Sequence, residues 1–299
     1  MKLPRLLYED LVRRALLEDL GRVGDLTSDS IIPLEARVRG NLISREPGCV
    51  AGMFVSTLAF SIMDPDVRIE YHVQDGDRIE PGQALATVDG EARSLLSAER
   101  SALNFLALLS GIATATRGIV DRLRGYDTKI VCTRKTTPGL RTLEKYAVRA
   151  GGGFNHRFGL DDAVLIKDNH LAVAGSIEEA VRRVRYCVGH TVKVEIEVDT
   201  LEQLEIALGQ PIDAVLLDNM TIDQVKAAVK MVRRRLVTEV SGGITPETAI
   251  AYGAAGVDLI SVGWLTHSAP ALDVSLDVES LSSVGSAARA AVSVAQTLR

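Results

Sequence analysis

Six short apolar runs mark the second half of the chain, at residues 129–133, 163–166, 192–198, 214–217, 238–240 and 259–262. The stretches between them carry helix start signals. Ser176-Ile177-Glu178-Glu179 and Thr221-Ile222-Asp223-Gln224 read as capping boxes, and Thr245-Pro246 as a cap followed by proline in the first turn. Short continuous apolar runs suit parallel strands buried on both faces. Their alternation with helices implies a parallel sheet, open or closed into a barrel. Six runs fall short of the eight of a standard barrel. The first half reads differently. Alternating segments at 38–44, 68–73 and 84–88 are separated by turn signals such as Glu46-Pro47-Gly48, Asp75-Gly76-Asp77 and Glu80-Pro81-Gly82. Helical patterns cover 6–20, 55–63 and 98–123. The chain is therefore expected to be α/β, with an α+β domain over 1–110 and a β/α domain over 111–269. Residues 270–299 are expected to pack back on the first domain, with a last helix from 281 onward.

Composition narrows the class. The 299 residues hold 34 basic and 39 acidic side chains, a net charge of −5, which argues against a general nucleic-acid binder. With 46% apolar and 24% charged residues the chain is globular rather than disordered. Cys49, Cys132 and Cys187 lie far apart without a C-x-x-C, so a reducing compartment, the cytoplasm, is expected. The first twenty residues lack the apolar core of a signal peptide. The most membrane-like stretch, 103–120, holds Asn104, Ser110, Thr114, Thr116 and Arg117 and reads as a buried helix, so no membrane partner is expected.

The chemistry concentrates in residues 129–160. Lys129, Arg134, Lys135, Arg141, Lys145, Arg149 and Arg157 face the single acid Glu144, a local anion field in an acidic protein. Arg134-Lys135 leaves a strand at its C-terminal end, where β/α folds build active sites. Gly151-Gly152-Gly153 permits a close backbone approach just before Asn155-His156-Arg157. Lys167 follows the next strand at the same rim. Glu195 and Glu197 alternate to one side of a strand, and Asp218 ends another; such oxygens suit Mg²⁺ or ribose hydroxyls. Ser241-Gly242-Gly243 and Gly263 form turns after the last two strands, the usual phosphate site of β/α barrels. His72 and His190 have no ligand spacing. The turns at 75–83 are similar to those of biotin- and lipoate-carrying domains, but no lysine lies between Lys2 and Lys129, which excludes a carrier. Together these residues fit a substrate with carboxylates and a phosphorylated sugar.

Several runs carry a family resemblance. Thr133-Arg134-Lys135-Thr136-Thr137-Pro138-Gly139-Leu140-Arg141, Glu144-Lys145-Tyr146-Ala147-Val148, the stretch from Gly151 to Arg157 and that from Leu165 to His170 resemble the signature of quinolinate phosphoribosyltransferases. Glu18 to Thr27, Ala98-Glu99-Arg100, Leu109 to Thr114, Leu217 to Met220 and Val262 to Ser268 add to it, so that it covers nearly the whole chain. The resemblance implies an N-terminal α/β sandwich and a C-terminal open α/β barrel of about six parallel strands. It implies a homodimer or a higher oligomer, and transfer of phosphoribosyl from phosphoribosyl pyrophosphate to quinolinate with loss of CO₂, in de novo NAD biosynthesis with Mg²⁺. Arg134, His156, Arg157 and Lys167 would bind the two carboxylates, with Arg100 supplied by the partner subunit. Lys135 would lie near the pyrophosphate. Glu197 and Asp218 would hold ribose hydroxyls and Mg²⁺, directly or indirectly. Ser241, Gly242, Gly243 and Gly263 would cradle the 5′-phosphate with His267 nearby. Lys135, Lys167, Glu197 and Asp218 would carry the catalysis.

Two positions depart from the pattern: Cys132 stands where the family often has an acid, and Trp264 where a small residue usually follows the phosphate glycine. Three rival readings remain at this stage. They are the homologue associated with molybdenum transport, a nicotinate phosphoribosyltransferase, and a non-catalytic sensor that kept the pocket. The Thr-Arg-Lys-Thr-Thr-Pro-Gly run with His156-Arg157 favours quinolinate, the surplus of bases favours a diacid, and the presence of Glu197 and Asp218 favours catalysis.

Overall fold

The computed structural model describes residues 3–280, so the helix expected from 281 onward lies outside the described residues. The chain forms two compact units, one of the residues up to Gly111 together with those from Ala271, the other of Ile112–Pro270.

The first unit is mixed α/β. Its strands are β1 (Arg37–Ser44), β2 (Gly48–Cys49), β3 (Arg68–Tyr71), β4 (Arg78–Ile79), β5 (Ala84–Glu91) and, at the end of the described chain, β12 (Val274–Ser280). A four-stranded antiparallel sheet runs β12-β1-β5-β3, and β2 pairs with β4. Strand β1 buries every second residue, including Val38, Leu42 and Ser44, as a sheet with one covered face requires. Its helices are α1 (Glu9–Leu20), α2 (Leu26–Ile31) and α3 (Met53–Met63). Helix α2 went unread in the sequence; Asp25 caps it, accepting from the amides of Thr27 and Ser28 at 3.1 and 3.0 Å. Strand β12 was also unread, although it pairs with β1 over seven residues from Val274 to Ser280.

Helix α4 (Ala92–Arg122) begins six residues before the expected start. Among the described residues it alone is long and apolar enough to cross a membrane by length and composition, and 56% of its most apolar window is buried within the protein.

The second unit holds β6 (Lys129–Val131), β7 (Val164–Ile166), β8 (Val194–Val198), β9 (Ala214–Asp218), β10 (Val237–Ser241) and β11 (Leu259–Ser261). Its helices are α5 (Arg141–Ala150), α6 (Asp168–Ala174), α7 (Ile177–Cys187), α8 (Leu201–Leu208), α9 (Ile222–Val232) and α10 (Pro246–Ala255). All pairings are parallel, in the order β6-β11-β10-β9-β8-β7. The first strand therefore pairs with the last, and each later strand with its successor. That is a ring opened between β6 and β7. Phe154 enters the opening through a parallel bridge to Val131. Side chains alternate across the strands: Ile130, Ile166, Ile196, Val198, Val215, Leu217, Val240 and Ile260 belong to one apolar core with the helices, while Glu197, Leu216, Asp218, Glu239 and Ser241 turn to the other side.

The capping signals mostly act as read. Thr221 and Gln224 form a reciprocal box, as do Thr245 and Thr248. The box at Ser176 is half made. Ser176 accepts from the Glu179 amide, but the Glu179 carboxylate turns away to Arg182 and Arg183 at 2.7 and 2.6 Å. Two charged partners one turn on outcompete a single backbone N–H.

Candidate active site

A cavity of ≈ 690 Å³ lies at the C-terminal ends of the six parallel strands. Every predicted site residue except Arg100 lines it: Arg134, Lys135, His156, Arg157, Lys167, Glu197, Asp218, Ser241, Gly242, Gly243, Gly263 and His267. Arg100 lies in the first unit on α4, exposed and without a hydrogen bond or ion pair among the described residues.

Of the seven bases at 129–157, three reach the cavity: Arg134, Lys135 and Arg157. Lys129 and Arg149 sit on the Phe154 ring, 4.9 and 4.4 Å from its centroid. Arg141 donates to Thr136 Oγ1 and to the Phe158 carbonyl. The glycine run 151–153 makes its close approach to α4 rather than to the cavity. A Cβ at Gly151 would fall 2.5 Å from the Ala113 carbonyl oxygen, and one at Gly153 2.9 Å from Thr116 Cγ2.

Arg134 and Arg157 bring two positive charges to one side of the cavity. The buried Nε of Arg134 has no hydrogen-bond partner. Arg157 donates one N–H to the Ala163 carbonyl at 3.0 Å. Burial and the charge of Arg134 hold the Arg157 pKa below its ordinary value. A guanidinium does not lose its proton in a protein, so the shift marks a half-buried cation beside a second one, a strain that the carboxylates of Asp162 and Glu195 offset only in part. Lys167, which follows β7, donates to Glu197 Oε2 at 2.6 Å.

His156 is fully engaged. Its Nδ1 accepts the Arg157 amide at 2.7 Å, and its Nε2 lies 3.0 Å from Glu195 Oε2 and 3.6 Å from Glu239 Oε1. The amide bond places the proton of a neutral ring on Nε2, facing the carboxylates. Burial opposes charge on this ring, but Glu195 and Glu239 outweigh it and raise its pKa.

Glu239 is the main residue the sequence reading missed. It was taken as part of the apolar run 238–240, and the signal was a lone acid inside that run. It is 1% exposed, and its Oε1 has no hydrogen-bond partner. Burial and the neighbouring Glu195 push the carboxyl up to about 7, with His156 working the other way. The stability consequence has a definite sign. From the ordinary carboxyl value of 4.5 up to about 7 the folded chain keeps this proton and the unfolded chain releases it. Stability from this group is therefore full below the lower value and is lost as pH rises through the upper one. Glu239→Gln removes the titration. Thermal unfolding should show the variant gaining on the wild type as pH rises from 4.5 to about 7. A difference in melting temperature that does not vary with pH would refute this.

Among the described residues, His156, Glu195 and Glu239 are the group whose ligand-type atoms converge, all within 4.8 Å of one another. Its imidazole suits transition metals better than Mg²⁺, which takes oxygen donors. Glu197 and Asp218 are separate from it.

The other wall is built from turns. Asp218 is oriented from both sides: Ser241 Oγ donates to its Oδ1, and Asn219 Nδ2 to its Oδ2 at 2.7 Å. The Ser241 hydroxyl is thus committed to Asp218. Gly242 (φ +102°) and Gly243 (φ +58°) follow in a conformation that favours glycine. Their amides, and that of Ile244, have no acceptor among the described residues. Unpaired amides at positive-φ glycines, ahead of the start of α10, form an anion nest. Trp264 secures this loop: its indole N–H donates to the Ile244 carbonyl at 2.9 Å and joins the two glycine turns. Lys135 lies against Gly263, where a Cβ would come within 3.0 Å of its Cδ, and the Lys135 carbonyl accepts from Thr266 Oγ1 at 2.7 Å. Buried Glu144 accepts from the Thr137 amide at 3.1 Å and pins the turn after Lys135; burial raises its carboxyl pKa against that bond.

Comparisons with known proteins identify the family. Residues 112–277 match the family model of the quinolinate phosphoribosyl transferase C-terminal domain, and residues 25–110 that of the N-terminal domain. The chain is 47% identical over 268 residues to the probable nicotinate-nucleotide pyrophosphorylase (carboxylating) of Bacillus subtilis (strain 168), covering 90% of this chain and 92% of that one. It is 47% identical over 274 residues to the nicotinate-nucleotide pyrophosphorylase (carboxylating) of Mycobacterium leprae, covering 90% and 96%. The crystal structure of NadC from Streptococcus pyogenes superposes with a TM-score of 0.91 at 38% identity, covering 94% of this chain and all of that one.

Proposed function

The chain belongs to the quinolinate phosphoribosyltransferase family, and from that premise we propose which wall of the cavity takes which substrate. The reaction joins quinolinate to phosphoribosyl pyrophosphate and yields nicotinate mononucleotide, pyrophosphate and CO₂, a step of de novo NAD biosynthesis.

The observation that carries the assignment is the pair Arg134 and Arg157, two like charges facing one cavity, one of them with a buried Nε that no acceptor meets. A diacid relieves their repulsion, and the planar fork of each suits a carboxylate. Quinolinate therefore sits on the β6–β7 side, with Lys167 as a further contact and the His156 ring, whose two nitrogens are already engaged, forming the wall beside it. Phosphoribosyl pyrophosphate sits on the β9–β11 side. There the amides of Gly242, Gly243 and Gly263 take the 5′-phosphate beside His267, and Ser241 acts by orienting Asp218. Asp218 and Glu197 hold the ribose hydroxyls, and Lys135 meets the pyrophosphate. Lys167, already paired with Glu197, ties the two walls together and gains a second anion when the diacid arrives.

The nucleophile is the ring nitrogen of the substrate, so no covalent enzyme intermediate is required. The enzyme aligns it with the ribose carbon that pyrophosphate leaves. Lys135 favours departure by meeting charge that grows as the bond breaks. Arg134, Arg157 and Lys167 hold the carboxylates, and the positive field around the ring stabilises the charge left when CO₂ departs. Mg²⁺, when bound, neutralises the pyrophosphate. Two carboxylates on one cavity, completed by substrate oxygens and water, fit its usual ligand set, and Glu197 and Asp218 are the residues that would hold it. Exposed, unpaired Arg100 is a side chain a second copy of the chain can use, and we assign it to the diacid site of a homodimer. The cytoplasm is the compartment we propose, on the spacing of the cysteines.

The test is an assay with phosphoribosyl pyrophosphate and Mg²⁺, offering quinolinate or nicotinate. Equal amounts of nicotinate mononucleotide and CO₂ are expected from quinolinate alone, and none after chelation of the metal. In the same assay, mixed and re-equilibrated Arg100→Ala and Arg157→Ala subunits should recover about a quarter of wild-type activity, since half of the dimers then hold one intact shared site. No recovery would end the trans assignment of Arg100.

A further inference from the structure

Lys145 is a buried cation that the reaction as derived does not use. It lies on α5 and is 2% exposed, a burial lysine reaches only when it is paired. An ammonium has three N–H donors, and the fold supplies three acceptors. They are the His156 carbonyl at 3.0 Å, the Arg157 carbonyl at 3.1 Å and Cys132 Sγ at 3.1 Å. Among the described residues no carboxylate is in ion-pair reach of it. The Cys132 thiol in turn donates to Asn155 Oδ1 at 3.4 Å, so three consecutive residues, Asn155 to Arg157, are tied to one buried knot.

The segment needs such a tie. No helix or strand covers the residues between the Phe154 bridge and β7, and neither the His156 nor the Arg157 carbonyl accepts a backbone hydrogen bond. Without Lys145 both carbonyls lose their partner, and each peptide plane keeps only the bond from its N–H to a nearby side chain, Arg157 to His156 Nδ1 and Phe158 to Asp162 Oδ2. We propose that Lys145 is a positioning residue for the diacid pocket: its ammonium holds the His156 and Arg157 carbonyls and so aims both side chains into the cavity. This rests on the reading that Arg157 binds quinolinate and that His156 walls its site. Cys132 contributes packing and a neutral third acceptor, and leaves the two carbonyl bonds intact when removed.

The experiment is steady-state kinetics, both substrates varied, on wild type, Arg157→Ala, Lys145→Met and Cys132→Ala. Lys145→Met should raise KM for quinolinate by about tenfold or more while KM for phosphoribosyl pyrophosphate stays within about twofold. Cys132→Ala, cut into the same packed spot, should leave both near wild type. If Lys145→Met yields no folded protein, Lys145→Gln, too short to reach both carbonyls, replaces it with the same expectation. A quinolinate KM that rises in Arg157→Ala but not in the lysine variant overturns this proposal alone. Both KM values rising together, or an equal loss in Cys132→Ala, would make the lysine a packing element and overturn it too. An unchanged quinolinate KM in Arg157→Ala brings down the pocket assignment and this proposal with it.

Discussion

Arg134→Ala and Arg157→Ala are each expected to raise KM for quinolinate by about ten- to a hundredfold while leaving that for phosphoribosyl pyrophosphate within a few-fold. A charged hydrogen bond in a partly buried site is worth about 1.5–3 kcal/mol, and every 1.4 kcal/mol is about tenfold. A lysine at either place should restore little, because a point charge does not reproduce the fork. The same substitutions should not weaken the fold. In the free protein the two guanidiniums repel each other, and one of them has a buried Nε with no acceptor. Removing either charge should hold or raise the melting temperature, the exchange of function against stability seen at strained sites. Kinetics and thermal unfolding on the same preparations check both halves. Wild-type quinolinate KM in the two variants would sink the diacid assignment.

Gly242→Ala should be the most damaging single methyl in the other wall. The residue has φ +102°, and a Cβ there would stand 2.1 Å from Asn219 Oδ1 and 3.1 Å from Asn219 Cα. Asn219 cannot yield freely, because its Nδ2 holds Asp218 at 2.7 Å. The methyl therefore strikes the phosphate turn and the ribose carboxylate together. Loss of phosphoribosyl pyrophosphate binding is expected, with kcat/KM down about a hundredfold or more, while quinolinate binding survives. Gly243→Ala is the control. A Cβ there meets nothing within 4 Å, and its φ of +58° costs a non-glycine residue about 1–2 kcal/mol. Calorimetric titration of each variant with phosphoribosyl pyrophosphate separates the cases, and wild-type affinity in Gly242→Ala would remove the turn from the phosphate site.

What could be read along the chain was read where the physics is local. The β/α alternation and all six strands of the second unit follow from short apolar runs and caps. The central signature, from Thr133 to Arg157, sits at strand ends where a rim site must form. Reading faltered where the outcome depends on a distant partner. Strand β12 is a strand because β1 offers it an edge more than two hundred residues back in the chain. The glycines at 151–153 looked like a ligand approach, and turned out to face a helix that pattern alone could not bring beside them. Trp264 looked like a departure from its family's pattern, and only the fold shows its indole bracing the turn at Gly242–Ile244.

The sequence by itself determined the class of fold, the family and the residue types gathered around the cavity, since helix and strand periods, caps and turn glycines act over a few residues. Tertiary structure alone decided how the charges are shared. It divided seven bases into three that face the cavity, one buried behind it and three that brace the surrounding loops. It paired Lys167 with Glu197, and set Glu239 against His156 and Glu195 in the barrel interior. Those outcomes depend on distance and burial, and a side chain acquires both only when segments far apart in the chain are packed together.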